Sequence, residues 1–123
     1  VSIPEAPTYF VGQRGVWVHN CPFGRVMSMR EAQAITKGHG GSIEAHHLIE
    51  HRHFRNGTVG GNHLDSPGVV MTKEEHGRIT YQLSQRMPYD SNYEVSVLRA
   101  VYREVYADYP EWAAAVDRYL SKQ

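Results

Sequence analysis

Two histidines stand side by side, His46-His47, in the short apolar run from Ile43 to Ile49 between Glu44 and Glu50. A third, His76, follows about 30 residues later. Imidazole is both the side chain that titrates nearest neutral pH and the commonest metal ligand, so histidines grouped in this way serve proton transfer, metal binding or both. A lone histidine in an apolar strand is ordinarily a hydrogen-bonded core residue, but two together beside carboxylates demand many polar partners. His51 and His53 alternate with Arg52 in a polar stretch that reads equally as a surface or phosphate-facing segment and as a solvated loop, and Arg52 and Arg55 are expected phosphate contacts. His19 and His39, the latter between glycines, stand apart from this site. The chain has eight histidines but one cysteine, Cys21. An internal disulfide and a four-cysteine zinc knuckle are both excluded, so any metal is held by His, carboxylate or amide.

The elements that must position these residues are marked by local signals. Thr8 to Val11 and Gly15 to Val18 flank a turn and predict an opening hairpin. Ser28-Met29-Arg30-Glu31 has the spacing of a capping box and starts a helix ending near Gly38. Ile43 to Ile49 predicts a strand, Arg55 to Ser66 a loop rich in Gly and Asn, and Val69-Val70-Met71 a second short strand. Thr72-Lys73-Glu74-Glu75 is another capping box, opening a helix to about Met87 that Pro88 stops. Tyr93, Val97, Ala100, Val101 and Val105 recur at helical spacing. So do Trp112, Ala115, Val116 and Tyr119 after Pro110, which suits a first helical turn. The fold class expected is α+β, with one helix before the histidine-bearing core and two packed after it.

Thr8-Tyr9-Phe10-Val11-Gly12 followed by Gly15-Val16-Trp17-Val18-His19-Asn20-Cys21 resembles the last two strands and splice junction of intein-like Hint domains, particularly those that precede toxin domains. The resemblance implies that Asn20 cyclises to break the following peptide bond, that His19 assists as proton donor, and that Cys21 becomes the first released residue. Residues 1–21 are then a processing segment and 22–123 a toxin domain.

Glu44-Ala45-His46-His47-Leu48-Ile49-Glu50 with Thr72-Lys73-Glu74-Glu75-His76 resembles the ββα-metal, or HNH/endonuclease VII, nucleases of bacterial polymorphic toxins, in branches written around Ala-His-His. The resemblance implies two antiparallel strands and a helix around one divalent cation (Mg²⁺, Zn²⁺ or Ni²⁺). His46 and His76 are then ligands and His47 the general base. Adjacent strand residues point to opposite faces unless the backbone bends, which agrees with one imidazole holding metal while its neighbour works on water. Many such nucleases place a further His or Asn one turn after the helix ligand or several residues before it, but position 80 is Thr. The third ligand is open: Asn62 or His63 can supply it from the loop, as can Glu44 or Glu50. Asn62 completes the expected ligand set, Glu50 the expected catalytic one, and Thr80 can instead steady a phosphate.

The function so implied is hydrolysis of DNA by a toxin nuclease. Such a toxin is delivered as part of a larger protein, acts in the cytoplasm of a target cell, and is neutralised by a cognate immunity protein. Two alternatives stand beside it. RNA brings its own 2′-hydroxyl nucleophile, so His47 and His76 could form a metal-free base and acid pair. Alternatively, His46, His76 and loop residues could close a structural zinc site in an interaction module.

Bulk composition permits all three. At 123 residues, 41% apolar with eight Tyr, the chain has material for one packed domain. Thirteen Lys plus Arg balance thirteen Asp plus Glu, so the long-range field of a strongly basic nucleic-acid binder is missing. No run of 18 apolar residues and no signal-like N-terminal pattern occurs, so neither a membrane span nor a signal peptide is expected.

Overall fold

The computed structural model describes residues 23–38 and 41–123. The expected opening hairpin, the His19-Asn20-Cys21 junction, the whole 1–21 segment and His39 lie outside the described residues.

Both capping boxes form. The Ser28 side chain accepts from the Glu31 amide while the Glu31 carboxylate takes the Ser28 amide, and helix α1 runs Met29–Thr36. Thr72 and Glu75 repeat the exchange at the start of α3, Lys73–Arg86. Each box satisfies backbone donors that a helix start leaves open, which is why two helices begin where the local sequence says they should. Helices α4 (Val95–Val105) and α5 (Pro110–Leu120) follow, with Pro110 in the first turn of α5. Tyr93 stands two residues before α4 rather than inside it.

The strands β1 (Met27–Ser28), β2 (Ile43–His47) and β3 (Pro67–Thr72) form an antiparallel sheet in the order β1-β3-β2. The register between β2 and β3 runs from Ile43↔Thr72 to His47↔Gly68. Central β3 is buried on both faces. Val69 and Met71 join the main core with Leu83, Leu98, Tyr102, Tyr106 and Val116, whereas Val70 joins a smaller cluster with Met29 and Ala32 of α1. That two-sided burial accounts for the unbroken apolar run Val69-Val70-Met71. By the same alternation Ile43 and Ala45 pack with the α1 cluster, and His46, opposite Val69, is turned toward the main core. Gly68 is required by close approach: a Cβ there would fall 2.3 Å from Met29 Sδ and 3.2 Å from the His46 carbonyl oxygen.

The architecture is therefore α+β, and β2, β3 and α3 form a strand–strand–helix unit with α1 on one face and α4 and α5 on the other. Two expectations are corrected. The strand ends at His47, and Leu48 and Ile49 form a bend in which both are fully buried. The stretch after it is not a loop but a short helix, α2 (His51–Arg55), and His53 is only 1% exposed. A polar sequence was drawn inward there because the bend turns α2 across Tyr93 and Tyr102, whose rings meet His53 edge-on.

Candidate functional site

β2 and α3 bring His46 and His76 together, with ring centroids 5.1 Å apart in an edge-to-face arrangement. His46 is buried, and its Nε2 lies 2.9 Å from the Tyr106 hydroxyl, which donates its single proton to the Leu48 carbonyl at 2.8 Å. A hydroxyl that gives its proton away can only accept from the imidazole, so His46 carries its hydrogen on Nε2. Burial above all, then the positive charges that His76 and His47 would carry, depress its pKa to about 3. The ring is neutral at pH 7 and Nδ1 bears the lone pair. The Nδ1 of His76 lies 2.5 Å from Glu44 Oε1, and an ionised carboxylate only accepts. His76 therefore has its hydrogen on Nδ1, and its Nε2 is the nitrogen left for a ligand.

His47 lines the same cleft as this pair. Its Nε2 is 3.0 Å from Nδ1 of His63, at the start of a 3₁₀ turn spanning His63–Asp65. The His51 ring stacks on His63 at 3.9 Å and lies parallel to His47 at 5.3 Å. Burial chiefly, then the charges that His63, His51 and His76 would carry, lower the His47 pKa to about 4, so His47 too is neutral at pH 7. His51 is also lowered, by burial first and then by His63 and Arg55. His47, His51 and His63 each offer one ring nitrogen within 4.8 Å of the others, a group that could hold a metal ion.

A cleft of about 290 Å³ gathers seven of the residues expected from sequence: His46, His47, Glu50, Arg52, Arg55, His76 and Thr80. Their states differ. The Glu50 carboxylate is tied to Arg52 at 2.9 and 3.3 Å, accepts from the Tyr102 hydroxyl at 3.3 Å, and lies 3.6 Å from His53 Nε2. Burial alone would raise its pKa. The neighbouring His53 and the hydrogen bonds and charge of Arg52 outweigh that and hold it below the ordinary value, so Glu50 is an ionised anchor rather than a free acid. Arg52 is neutralised by Glu50 and lies 4.2 Å over the Tyr89 ring. Arg55 is exposed on the rim and makes no ion pair among the described residues. Thr80 is half-buried one turn beyond His76.

Asn62 is not brought to the cleft. Its side-chain oxygen accepts from the Leu64 amide at 2.9 Å and caps the 3₁₀ turn, which aims its neighbour His63 at His47 instead. Four residues of the site lay outside the sequence expectation of its working parts. Tyr106 and Tyr89 gave no local signal, and His51 and His53 were read as a surface or phosphate-facing segment or a solvated loop. Their roles depend on contacts across as many as 60 residues. Another cavity, of about 410 Å³, lies between Phe23, Met71, Tyr109 and Trp112 with Glu75, Asp108 and Glu111 around it. It contains no histidine and lacks the means for the chemistry above.

No family model, curated protein or solved structure matches the chain.

Proposed function

We propose that this chain is a metal-dependent nuclease that hydrolyses phosphodiester bonds of DNA, with His46 and His76 as ligands of one divalent cation and His47 as general base. The observation that carries the proposal is the pair of committed nitrogens. Tyr106 takes the Nε2 hydrogen of His46 and Glu44 takes the Nδ1 hydrogen of His76, leaving one lone pair on each of two adjoining rings in a single cleft. Metal-binding histidines are characteristically oriented in this way, by a carboxylate or carbonyl on the far nitrogen. Two imidazoles fit Ni²⁺ or Zn²⁺ most closely, and they fit Mg²⁺ or Mn²⁺ where phosphate and water oxygens fill most of the coordination sphere. Bound there, the cation supplies positive charge against the oxygens of the scissile phosphate.

The protein's own groups do the rest. His47, neutral at pH 7, takes a proton from the attacking water. It does so through Nδ1 when its Nε2–H is donated to His63, so His63 is a positioning residue that selects the tautomer. Arg55 draws the phosphate backbone to the rim. Glu50 and Tyr89 hold Arg52 in the wall of the cleft, and Thr80 offers a hydroxyl from the face of α3 that carries His76. A metal-free base and acid pair gives His46 no task, and a closed structural zinc site needs four protein ligands where the His46–His76 pair supplies two, so both alternatives fit the geometry less well. The resemblance of the Ala-His-His and Thr-Lys-Glu-Glu-His segments to toxin nucleases extends the proposal to a domain delivered within a larger toxin and covered by an immunity protein.

The test is cleavage of plasmid DNA and of total RNA by the purified chain and by His47→Ala, each with Mg²⁺, with Zn²⁺ and with EDTA. DNA cleavage abolished by EDTA and by the substitution is the expected result. RNA cleavage that survives EDTA would replace the mechanism by the paired-histidine one, and absence of cleavage would refute a nuclease.

A further inference from the structure

A second cluster of ring nitrogens lies beside the cleft, and the assignment of His47 as base gives it no partner in catalysis beyond His63. We infer that His47, His51 and His63 form a distinct site for a borderline transition-metal ion such as Zn²⁺, and that filling it shuts off the base. The inference rests on the nuclease reading for its second half only.

Zinc–nitrogen bonds of about 2.0–2.1 Å place neighbouring ligands of one ion about 3–3.5 Å apart. His47 Nε2 and His63 Nδ1 already stand 3.0 Å apart. His51, the half-buried first residue of α2, presents its own ring nitrogen within 4.8 Å of those two. Three imidazoles and no carboxylate suit Zn²⁺, Ni²⁺ or Cu²⁺ and not Mg²⁺, which seeks hard oxygen ligands. Arg55 beside His51 opposes a cation, which makes the site one of modest, reversible occupancy.

Coordination uses the Nε2 lone pair of His47. The ring's hydrogen then resides on Nδ1, the nitrogen that accepts the proton from water, and no proton is gained or lost by the neutral ring overall. The same ion displaces the His47–His63 hydrogen bond that set the productive tautomer. Zn²⁺ at the trio and Mg²⁺ at His46 and His76 thus act in opposite directions on one reaction.

The test is a calorimetric Zn²⁺ titration of the full chain and of His51→Ala, His51→Gln and His46→Ala, with circular dichroism to establish folding. Two zinc equivalents are expected in the wild type, and one in each variant. In Mg²⁺-supported DNA cleavage, the Zn²⁺ concentration that halves the rate should rise at least about tenfold in both His51 variants, since loss of even an outer-shell partner of a metal ligand costs about 10–100-fold. A single wild-type equivalent that persists in folded His51→Ala and His51→Gln, or two equivalents in those variants, would overturn the site. Equal Zn²⁺ inhibition of wild type and His51 variants would overturn the shut-off, since zinc would then be displacing Mg²⁺. Absence of cleavage with every metal would refute the nuclease reading and the shut-off with it, while a His51-dependent zinc equivalent would still establish the site.

Discussion

Replacing Tyr106 by Phe removes one oxygen atom and separates the two duties of His46. The Tyr106 ring is fully buried, stacked on Tyr102 at 5.5 Å and edge-on to Trp112 at 5.6 Å, and Phe keeps those contacts. What is lost is the acceptor for His46 Nε2–H and the donor to the Leu48 carbonyl. Two buried hydrogen bonds at about 1–1.5 kcal/mol each give a destabilisation of about 2–3 kcal/mol, readable as a lowered urea midpoint with an unchanged slope. The functional consequence is separate. Without Tyr106 nothing fixes the lone pair of His46 on Nδ1, and loss of such an orienting partner weakens a metal site by about 10–100-fold. Titration of the metal-free protein with Mn²⁺ or Co²⁺ measures it. A folded Tyr106→Phe that is destabilised as expected but binds metal as tightly as wild type would refute the reasoning, because His46 would then be a core residue and nothing more.

Stability should fall on acidification through His46. Its folded pKa of about 3 lies below the ordinary 6.5, so between those values the unfolded chain binds a proton that the folded chain does not. Stability is full above the ordinary value and is lost as pH falls, by about 2 kcal/mol from pH 7 to pH 5. Urea unfolding across that range should show a loss in wild type that His46→Phe reduces by about 2 kcal/mol, the remainder coming from His47, whose folded pKa of about 4 acts in the same direction. Glu50→Ala, which strands Arg52 in a nearly buried position, should cost about 3 kcal/mol, and Glu50→Gln less; a stable Glu50→Gln without cleavage would instead make Glu50 catalytic. Gly68→Ala forces a methyl against Met29 and the His46 carbonyl. It should destabilise by about 1–3 kcal/mol in thermal or chemical unfolding, whereas an unchanged midpoint would mean that the contact relaxes freely.

Features written in adjacent residues were legible beforehand. Ser28 with Glu31 and Thr72 with Glu75 announce helix starts because the capping exchange involves residues three apart. The run Val69-Val70-Met71 announces a strand, whereas the grouping of His76 with His46 and His47 was implied only by the resemblance to ββα-metal nucleases. The parts that were missed depend on chain folding back on itself. The 51–55 stretch is polar and reads as loop, yet Glu50 pairs with Arg52 and Tyr102 and turns His53 inward. The interior face of His46 is satisfied by Tyr106 from α4, 60 residues away. Asn62 and His63 are neighbours with equal claims as ligands in the sequence. Only the capping of the 3₁₀ turn by Asn62 decides that His63 is the one presented to His47.

The central claim, that His46 and His76 hold the catalytic cation, is tested most directly by anomalous diffraction from crystals of the protein equilibrated with Mn²⁺. The account predicts a peak within coordination distance of His46 Nδ1 and His76 Nε2, with Tyr106 and Glu44 on their far nitrogens. A peak confined to His47, His51 and His63, or no ordered Mn²⁺ at the His46–His76 pair, would contradict it.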